Sequence, residues 1–323
     1  MERRRVPFGI PHSALISTIL GMMAVSFPLG AYVVFDGNIG QNITFQVPAS
    51  HIALFGAESY SVLPSFIELG DLFILLWSIY VAFFAVALLG PDRDILTSLK
   101  ERVFGITHTA NYMIHALSWF AVLVLASTVV DMLQGYAGLA ITPPDIGNHL
   151  VQFYLITASP ITEEILYRVI LVGVPLFAVY THRVSIKFIA QSLWHPARHL
   201  HIHDKAQRAI IIVVITGVIF GVSHIIQDDF WGVAKLAQAT IAGIILGYVY
   251  YRYGFVCALL IHWATNYFIY SYGHFVAHVG DWGITEAFEQ PFFGTIQIII
   301  VVTGALTILM MIEQRTNFIS RYR

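Results

Sequence analysis

The chain has 323 residues with a mean hydropathy of +0.73; 57% of its residues are hydrophobic and 11% are charged. A soluble domain carries about 25% charged residues, so this composition excludes a water-soluble enzyme, and it is too apolar for a disordered chain. The net charge of −2 offers no basic surface for nucleic acid, and the single cysteine, Cys257, excludes an internal disulfide or a thiolate-cluster metal site.

The class that remains is an all-α, polytopic transmembrane bundle. Crossing a bilayer takes about 20 mostly apolar residues per helix, and the sequence predicts eight such spans. In chain order they are 12–35, 67–89, 110–134, 149–172, 209–227, 232–251, 255–275 and 292–312. The apolar run of the first span is longer than the roughly 7–15 residues of a signal peptide, so we expect it to be retained.

The distribution of lysine and arginine predicts the orientation of the spans, because these residues concentrate in cytoplasmic loops. The N-terminus, the C-terminal tail and the loops after spans two, four and six all carry them. The alternate loops, 36–66, 135–148, 228–231 and 276–291, contain none. Only Arg168 and Lys235 depart from this pattern. The alternation favours eight spans with both termini in the cytoplasm.

Span four contains three charged residues, Glu163, Glu164 and Arg168. A charged residue near the centre of a span costs about 2.5–3.5 kcal/mol on insertion scales, so its presence there requires a structural or functional explanation. Residues four apart share a helix face, so Glu164 and Arg168 can form an ion pair. Glu163 lies on a different face and lacks that partner, which suits a general base. The alternative is that all three charges form one structural network.

Two later spans add polar groups at membrane depth. His224 lies near the end of span five, and His262 and Asn266 share a face of span seven. Taken singly, these side chains are typical of packing and of interhelical hydrogen bonds. Together with the two glutamates they could converge on one water molecule. A carboxylate base with imidazole and amide donors is suited to activating water and stabilising an oxyanion. Asp131 and His115 in span three are weaker candidates for functional polar residues within the membrane.

Three ordered motifs resemble the CAAX prenyl endopeptidase-like intramembrane proteases, also called the CPBP or ABI family. The motifs are Glu-Glu-x-x-x-Arg at 163–168, Phe-x-x-x-His at 220–224 and His-x-x-x-Asn at 262–266. The resemblance covers about 150–270, and each motif falls on a predicted span. One departure is Val169, which stands where the family often has glycine after the motif arginine.

The resemblance implies an endopeptidase that cleaves peptide bonds within or beside the membrane. It implies that Glu163 activates water together with His224, and that His262 and Asn266 stabilise the oxyanion. We expect Glu164 and Arg168 to give structural support. Two mechanisms stay open at this point: glutamate with water alone, or a divalent metal such as zinc held by Glu163, His224 and His262. The chain has no His-Glu-x-x-His pair, which slightly favours the first.

The chain thus divides into spans one to three and their outer loops (1–148), a protease-like core (149–275), and the last span with a basic tail (276–323). We expect an integral, multi-pass protein, of the cell membrane if the source is prokaryotic, acting on a protein or peptide whose C-terminal tail can be prenylated. The alternatives are a transporter or proton relay, or a non-catalytic membrane adaptor with the same fold. The sequence specifies no oligomeric state.

Loop 181–208 is rich in histidine and lies on the predicted cytoplasmic side. Histidines spaced four apart in it could bind a metal ion, while a basic patch at an anionic leaflet is the more common role for such a loop.

Overall fold

A computed structural model describes residues 8–49, 64–104, 111–139, 147–182, 185–200, 202, 206–226 and 234–321, with side chains to 313 in the last helix. Within these ranges the fold is helical and contains no strand. The α-helices are α1 (Gly9–Phe35), α2 (Leu69–Leu89), α3 (Ile95–Val103), α4 (Tyr112–Tyr136), α5 (His149–Glu163), α6 (Val174–Tyr180), α7 (Ile186–Trp194), α8 (Pro196–His199), α9 (Ala206–Ile226), α10 (Ala234–Tyr253), α11 (Phe255–Trp263), α12 (Ile269–Gly280), α13 (Ile284–Phe288) and α14 (Pro291–Arg321). Two π-helical segments, Glu164–Gly173 and Ala264–Phe268, join α5 to α6 and α11 to α12.

Among the described residues, five helices are long and apolar enough by themselves to cross a membrane: α1, α2, α4, α9 and residues Pro291–Glu313 of α14. Predicted spans four and seven are interrupted helices, because a π-helical segment divides each of them. Predicted span six corresponds to α10, which is less apolar than the others. The all-helical membrane fold is therefore confirmed, while the count of eight spans and the cytoplasmic termini stay predictions.

Several charges used to predict the orientation lie outside the described residues. They are Arg3, Arg4, Arg5, Glu58, Asp145, Arg183, Lys205, Asp228, Asp229 and Arg323, and the side chains of Arg315 and Arg321. The short helices α3, α7 and α13 lie in segments that the sequence predicted only as loops. Asp94 starts α3 by accepting a hydrogen bond from the Thr97 amide at 2.9 Å, which is an ordinary N-cap.

The apolar surface of this protein requires a bilayer. The most apolar windows of α2 and α9 have a hydropathy of 2.6, yet only 28% and 33% of them are buried inside the protein. Large aliphatic side chains such as Leu75 and Ile211 are more than half exposed. Patches of this size on a protein in water would drive association, so these helix faces contact lipid.

Helix α11 forms the centre of the bundle. Every residue from Phe255 to Trp263 is buried, and α11 contacts α2, α4, α5, α7, α10 and the first π-helical segment. It begins directly after Gly254, whose φ of +92° is a conformation that side chains with a Cβ rarely adopt. A Cβ there would also lie 2.8 Å from the carbonyl oxygen of Trp194. Gly254 thus allows α10 to turn sharply into the core.

Helices α9 and α10 form the most extensive helix pair in the described part of the chain. Glycines let them approach closely, as is common between membrane helices. A Cβ added to Gly217 would lie 2.5 Å from Ile244 Cγ1 and 2.7 Å from the Ile244 nitrogen. A Cβ on Gly221 would lie 2.9 Å from the Thr240 nitrogen and 3.0 Å from the Leu236 oxygen. This close packing fixes the end of α9.

Replacing Gly217 with alanine should separate α9 from α10, because part of the clash is with backbone that cannot rotate away. We expect a loss of about 1–3 kcal/mol of stability, the usual cost of overpacking, measured as thermal unfolding in detergent. Gly21→Ala in α1 is the matched control, since its Cβ would meet nothing within 4 Å. Equal melting temperatures for the two variants would contradict the close packing of α9 on α10.

Candidate active site

The end of α5 is shaped by Pro160. Proline has no N–H, so it cannot bond the Ile156 carbonyl four residues earlier. The Asn266 amide nitrogen lies 3.4 Å from that carbonyl oxygen and 3.1 Å from Ser159 Oγ, and donates to both. Tyr80 of α2 donates a 2.7 Å hydrogen bond to the Thr157 carbonyl. These bonds fix the helical turn that precedes the two glutamates.

The first π-helical segment begins at Glu164, directly after Glu163. Its end shows the wider hydrogen bonding, since the Val174 amide bonds the Val169 carbonyl five residues back. The sequence predicted one span over 149–172, and this segment interrupts it. Segments of this kind are rare and frequent at functional sites. Pro160, four residues before Glu164, is the sequence signal for an irregular helix in this span.

Glu164 and Arg168 form the ion pair that their spacing predicts, with Arg168 Nε 3.1 Å from Glu164 Oε2. Both side chains are fully buried. The Arg168 guanidinium lies 4.5 Å from the centre of the Phe220 ring, which is a cation–π contact. Two charges taken out of water are costly unless they are paired. Arg168 therefore has a structural role, because it neutralises the buried charge of Glu164.

His262 lies between the two carboxylates. Its Nδ1 is 2.8 Å from Glu164 Oε1, and its Nε2 is 3.7 Å from Glu163 Oε2. Because the ionised Glu164 can only accept, Nδ1 must carry the hydrogen of that bond. The other nitrogen then faces Glu163. The central helix α11 thus places one imidazole against both motif glutamates.

Glu163 is the more accessible carboxylate, since 26% of its side chain is exposed and none of Glu164 is. Its Oε2 is buried and has no hydrogen-bond partner among the described residues. Glu164 is already shared between Arg168 and His262. Glu163 therefore lacks the ion pair that Glu164 makes with Arg168, as the spacing predicts.

His224 approaches the same site from α9. Its Nδ1 lies 2.8 Å from the Phe220 carbonyl oxygen one turn earlier, so Nδ1 carries the hydrogen and Nε2 remains available. The Phe220 ring lies 4.5 Å from the His224 ring and 6.1 Å from the His262 ring, between centroids. His224 interacts electrostatically with Glu163 and His262. The sequence predicts that His224 lies near the two glutamates, and this placement agrees with that prediction.

Asn266 contacts α5 one turn before Glu163. Its amide hydrogens bond Ile156 and Ser159 of α5, and its carbonyl oxygen accepts a 3.3 Å bond from Thr265. Ser159 precedes Glu163 by four residues and shares its helix face. Asn266 therefore lies one turn from Glu163 and holds α5 against the second π-helical segment.

Two nearby residues were not predicted to belong to the site. Phe220 contacts Arg168, Tyr167, His224 and His262 through its ring. In the sequence analysis Phe220 was only a position of the second motif. Lys235, at the start of α10, interacts electrostatically with Glu163 and His224. The sequence signal that could have identified Lys235 is its place outside the pattern of lysine and arginine in alternate loops.

The sequence considered a metal ion held by Glu163, His224 and His262. Among the described residues, no three His, Cys, Asp or Glu side chains come close enough together to hold a metal ion. His262 Nδ1 is taken by Glu164, and His224 Nδ1 by a backbone carbonyl. The Nε2 atoms of both histidines are left, and that of His262 lies 3.7 Å from Glu163 Oε2.

The histidine-rich loop 181–208 also shows no such cluster in its described part. His201 and His203 lie outside the described residues. His195 makes 3.2 Å contacts with the Tyr112 hydroxyl and the Arg252 carbonyl oxygen, joining the ends of α4 and α10. Burial lowers the pKa of His195 to about 4, so it is neutral at pH 7 and has a structural part in this loop.

Comparison with known proteins agrees with the family predicted from the motifs. Residues 146–268 match the family described as type II CAAX prenyl endopeptidase, Rce1-like. The matched segment contains Glu163, His224, His262 and Asn266. The family implies a CAAX-type protease, and the apolar helices make the protein an integral membrane protein. Comparisons with curated proteins and with solved structures gave no match.

The ion pair of Glu164 and Arg168 can be tested by a double-mutant cycle. Arg168→Met or Glu164→Gln alone should cost about 3–5 kcal/mol, because each leaves one buried charge without its partner. The double variant should lose less than the sum of the two, which thermal unfolding would measure. Additive losses would show that the two charges do not stabilise each other.

Proposed function

We propose that this chain is an intramembrane endopeptidase that hydrolyses a peptide bond of a membrane-associated protein with water activated by Glu163. The observation that carries the proposal is the partly exposed carboxylate of Glu163, whose Oε2 has no hydrogen-bond partner among the described residues and lies 3.7 Å from His262 Nε2. It is also within electrostatic reach of His224. A purely structural cluster would need only the buried pair of Glu164 and Arg168. The match to a protease family supports the same conclusion.

In this mechanism a water molecule binds between Glu163 Oε2 and His262 Nε2. Two polar atoms 3.7 Å apart can both contact one water at an ordinary hydrogen-bond distance of about 2.8 Å. His224 Nε2, which has no backbone bond of its own, would orient the same water. The proton passes to Glu163 as the water oxygen attacks the substrate carbonyl. Glu163 then returns the proton to the departing amine nitrogen.

Stabilisation of the oxyanion is assigned to His262, with Asn266 as the second predicted hydrogen-bond donor. Donation from His262 requires a proton on Nε2, because Nδ1 is engaged with Glu164. Asn266 must release Ser159 or Ile156 before it can donate to substrate. Glu164 and Arg168 hold His262 and the π-helical segment in place. No step of this scheme uses a metal ion.

The substrate class follows from the position of the site within lipid-facing helices. A protein with a membrane-bound or lipid-modified tail reaches such a site by diffusion in the bilayer, whereas a soluble polypeptide does not. The family description names CAAX prenyl substrates, so a farnesylated C-terminal peptide is the first substrate to test.

Glu163→Gln should abolish cleavage of a farnesylated, internally quenched peptide, because the amide cannot accept the proton from water. We expect a loss larger than the roughly 10²–10³-fold that follows removal of one oxyanion donor in other enzymes. Thermal unfolding should stay near that of the wild type. Glu286→Gln, an exposed glutamate of α13, is the control and should retain activity. Normal cleavage by Glu163→Gln would refute the assignment.

Whether cleavage requires a metal ion is tested by titrating the purified, active protein with a strong chelator. We expect cleavage to persist after dialysis against chelator, and added zinc to give no stimulation, because Glu163 acts on water without a metal. Metal content of the dialysed sample should be measured by elemental analysis. Loss of activity that zinc alone restores would establish a metalloprotease instead.

A further inference from the structure

A cavity of about 220 Å³ opens where the turn after α2, the start of α8 and the end of α10 meet. It shares no residue with the candidate active site. A water molecule takes about 30 Å³ in the liquid, so the cavity can hold a group of several heavy atoms. Three charged side chains, one histidine and two small apolar residues line it: Pro91, Asp92, His195, Ala197, Arg198 and Arg252.

Hydrogen bonds between separate elements hold the walls of this cavity. Asn111, the N-cap of α4, donates to two carbonyl oxygens in the segment between α2 and α3, at 3.1 and 2.8 Å, and so fixes the turn that carries Asp92. The Arg252 carbonyl oxygen can only accept, so the neutral His195 donates to it from Nε2. His195 Nδ1 then accepts from the Tyr112 hydroxyl. The cavity is therefore a fixed feature of the fold.

The lining of the cavity carries one uncompensated positive charge. Arg198 Nη2 lies 2.7 Å from Asp92 Oδ1, so these two charges match each other. Arg252 makes no ion pair with a carboxylate in the described part of the chain. Its guanidinium lies 5.9 Å from the centre of the Tyr253 ring, a contact that leaves the N–H donors available. His195 adds no charge at pH 7, because burial lowers its pKa to about 4.

The cavity lies at the border between lipid-facing and polar surface. Leu89, at the end of α2, is 74% exposed, and Trp194, directly before the lining histidine, is 40% exposed. The Trp194 ring packs on Phe83 and Phe255, with centroids 6.2 and 5.9 Å apart. Tryptophan is enriched where the hydrocarbon of a bilayer meets the headgroups. The charged cavity therefore opens beside the layer that phospholipid headgroups occupy.

We propose that this cavity binds the headgroup of an anionic phospholipid, with its phosphodiester on Arg252 and Arg198 and its acyl chains along the apolar surface at Leu89 and Trp194. A guanidinium donates two parallel hydrogen bonds to phosphate oxygens, and basic pockets between membrane helices bind lipid headgroups. The extra positive charge favours a headgroup without a cation of its own. Phosphatidylglycerol meets this requirement, whereas phosphatidylcholine brings an ammonium group. Lipid binding here does not require proteolytic activity.

The test offers phosphatidylglycerol and phosphatidylcholine with the same acyl chains, in equal amounts, to the full-length protein in detergent. Native mass spectrometry counts the lipids retained, and the wild type should prefer phosphatidylglycerol. Arg252→Gln should weaken that binding about fivefold, the effect of one basic residue at an anionic surface, and Arg252→Lys should keep most of it. Arg93→Gln is the matched control, because Arg93 lies in the same turn region, pairs with Glu101 at 2.7 Å and does not line the cavity.

Asp92→Asn tests the cavity in the opposite direction, since it removes the negative charge and releases Arg198. It should strengthen phosphatidylglycerol binding about fivefold, a gain that misfolding does not produce. Glu101→Gln changes the net charge equally outside the cavity and should have no such effect. Inorganic phosphate should not displace the lipid, because it makes no use of the apolar surface. Equal retention of the two lipids, equal effects of Arg252→Gln and Arg93→Gln, or displacement by inorganic phosphate would overturn the proposal.

Discussion

The hydrogen bond between Glu164 and His262 is the contact on which the rest of the site depends. It joins the π-helical segment to the central helix α11 over 2.8 Å, in a place that excludes water from the carboxylate. A buried carboxylate is tolerated only when it is paired, and Glu164 is paired twice, with Arg168 and with His262. This double pairing determines which nitrogen of His262 faces Glu163. The adjacent carboxylate is thereby left available for chemistry.

Much of this arrangement could be predicted from the sequence, because the physical signals were strong. Long apolar runs predicted helices at the right places, since a bilayer accepts few other structures. The four-residue spacing predicted the pair of Glu164 and Arg168, and the rarity of charge in lipid directed attention to Glu163 and His224. The family resemblance was carried by three short motifs, and the match over 146–268 bears it out.

Other features depended on contacts that one sequence does not reveal. The π-helical segments arise where side chains and a proline compete with regular hydrogen bonding, and hydrophobic periodicity does not report them. That Asn266 bonds α5 follows from the free Ile156 carbonyl, which only the packing of two helices brings within reach. The place of Lys235 depends on the antiparallel register of α9 and α10. Spacing along the chain contains no information about that register.

The π-helical segment Glu164–Gly173 has a consequence for how such a chain can change in evolution. A π-helical turn accommodates one residue more than an α-helical turn, so deleting a single residue within it would let the helix rewind into a regular α-helix. Such a deletion would leave the membrane-spanning length almost intact and satisfy every backbone group. It would also rotate Arg168 relative to Glu164 and His262. Loss of one codon could therefore yield a well-folded, correctly inserted protein without catalytic power.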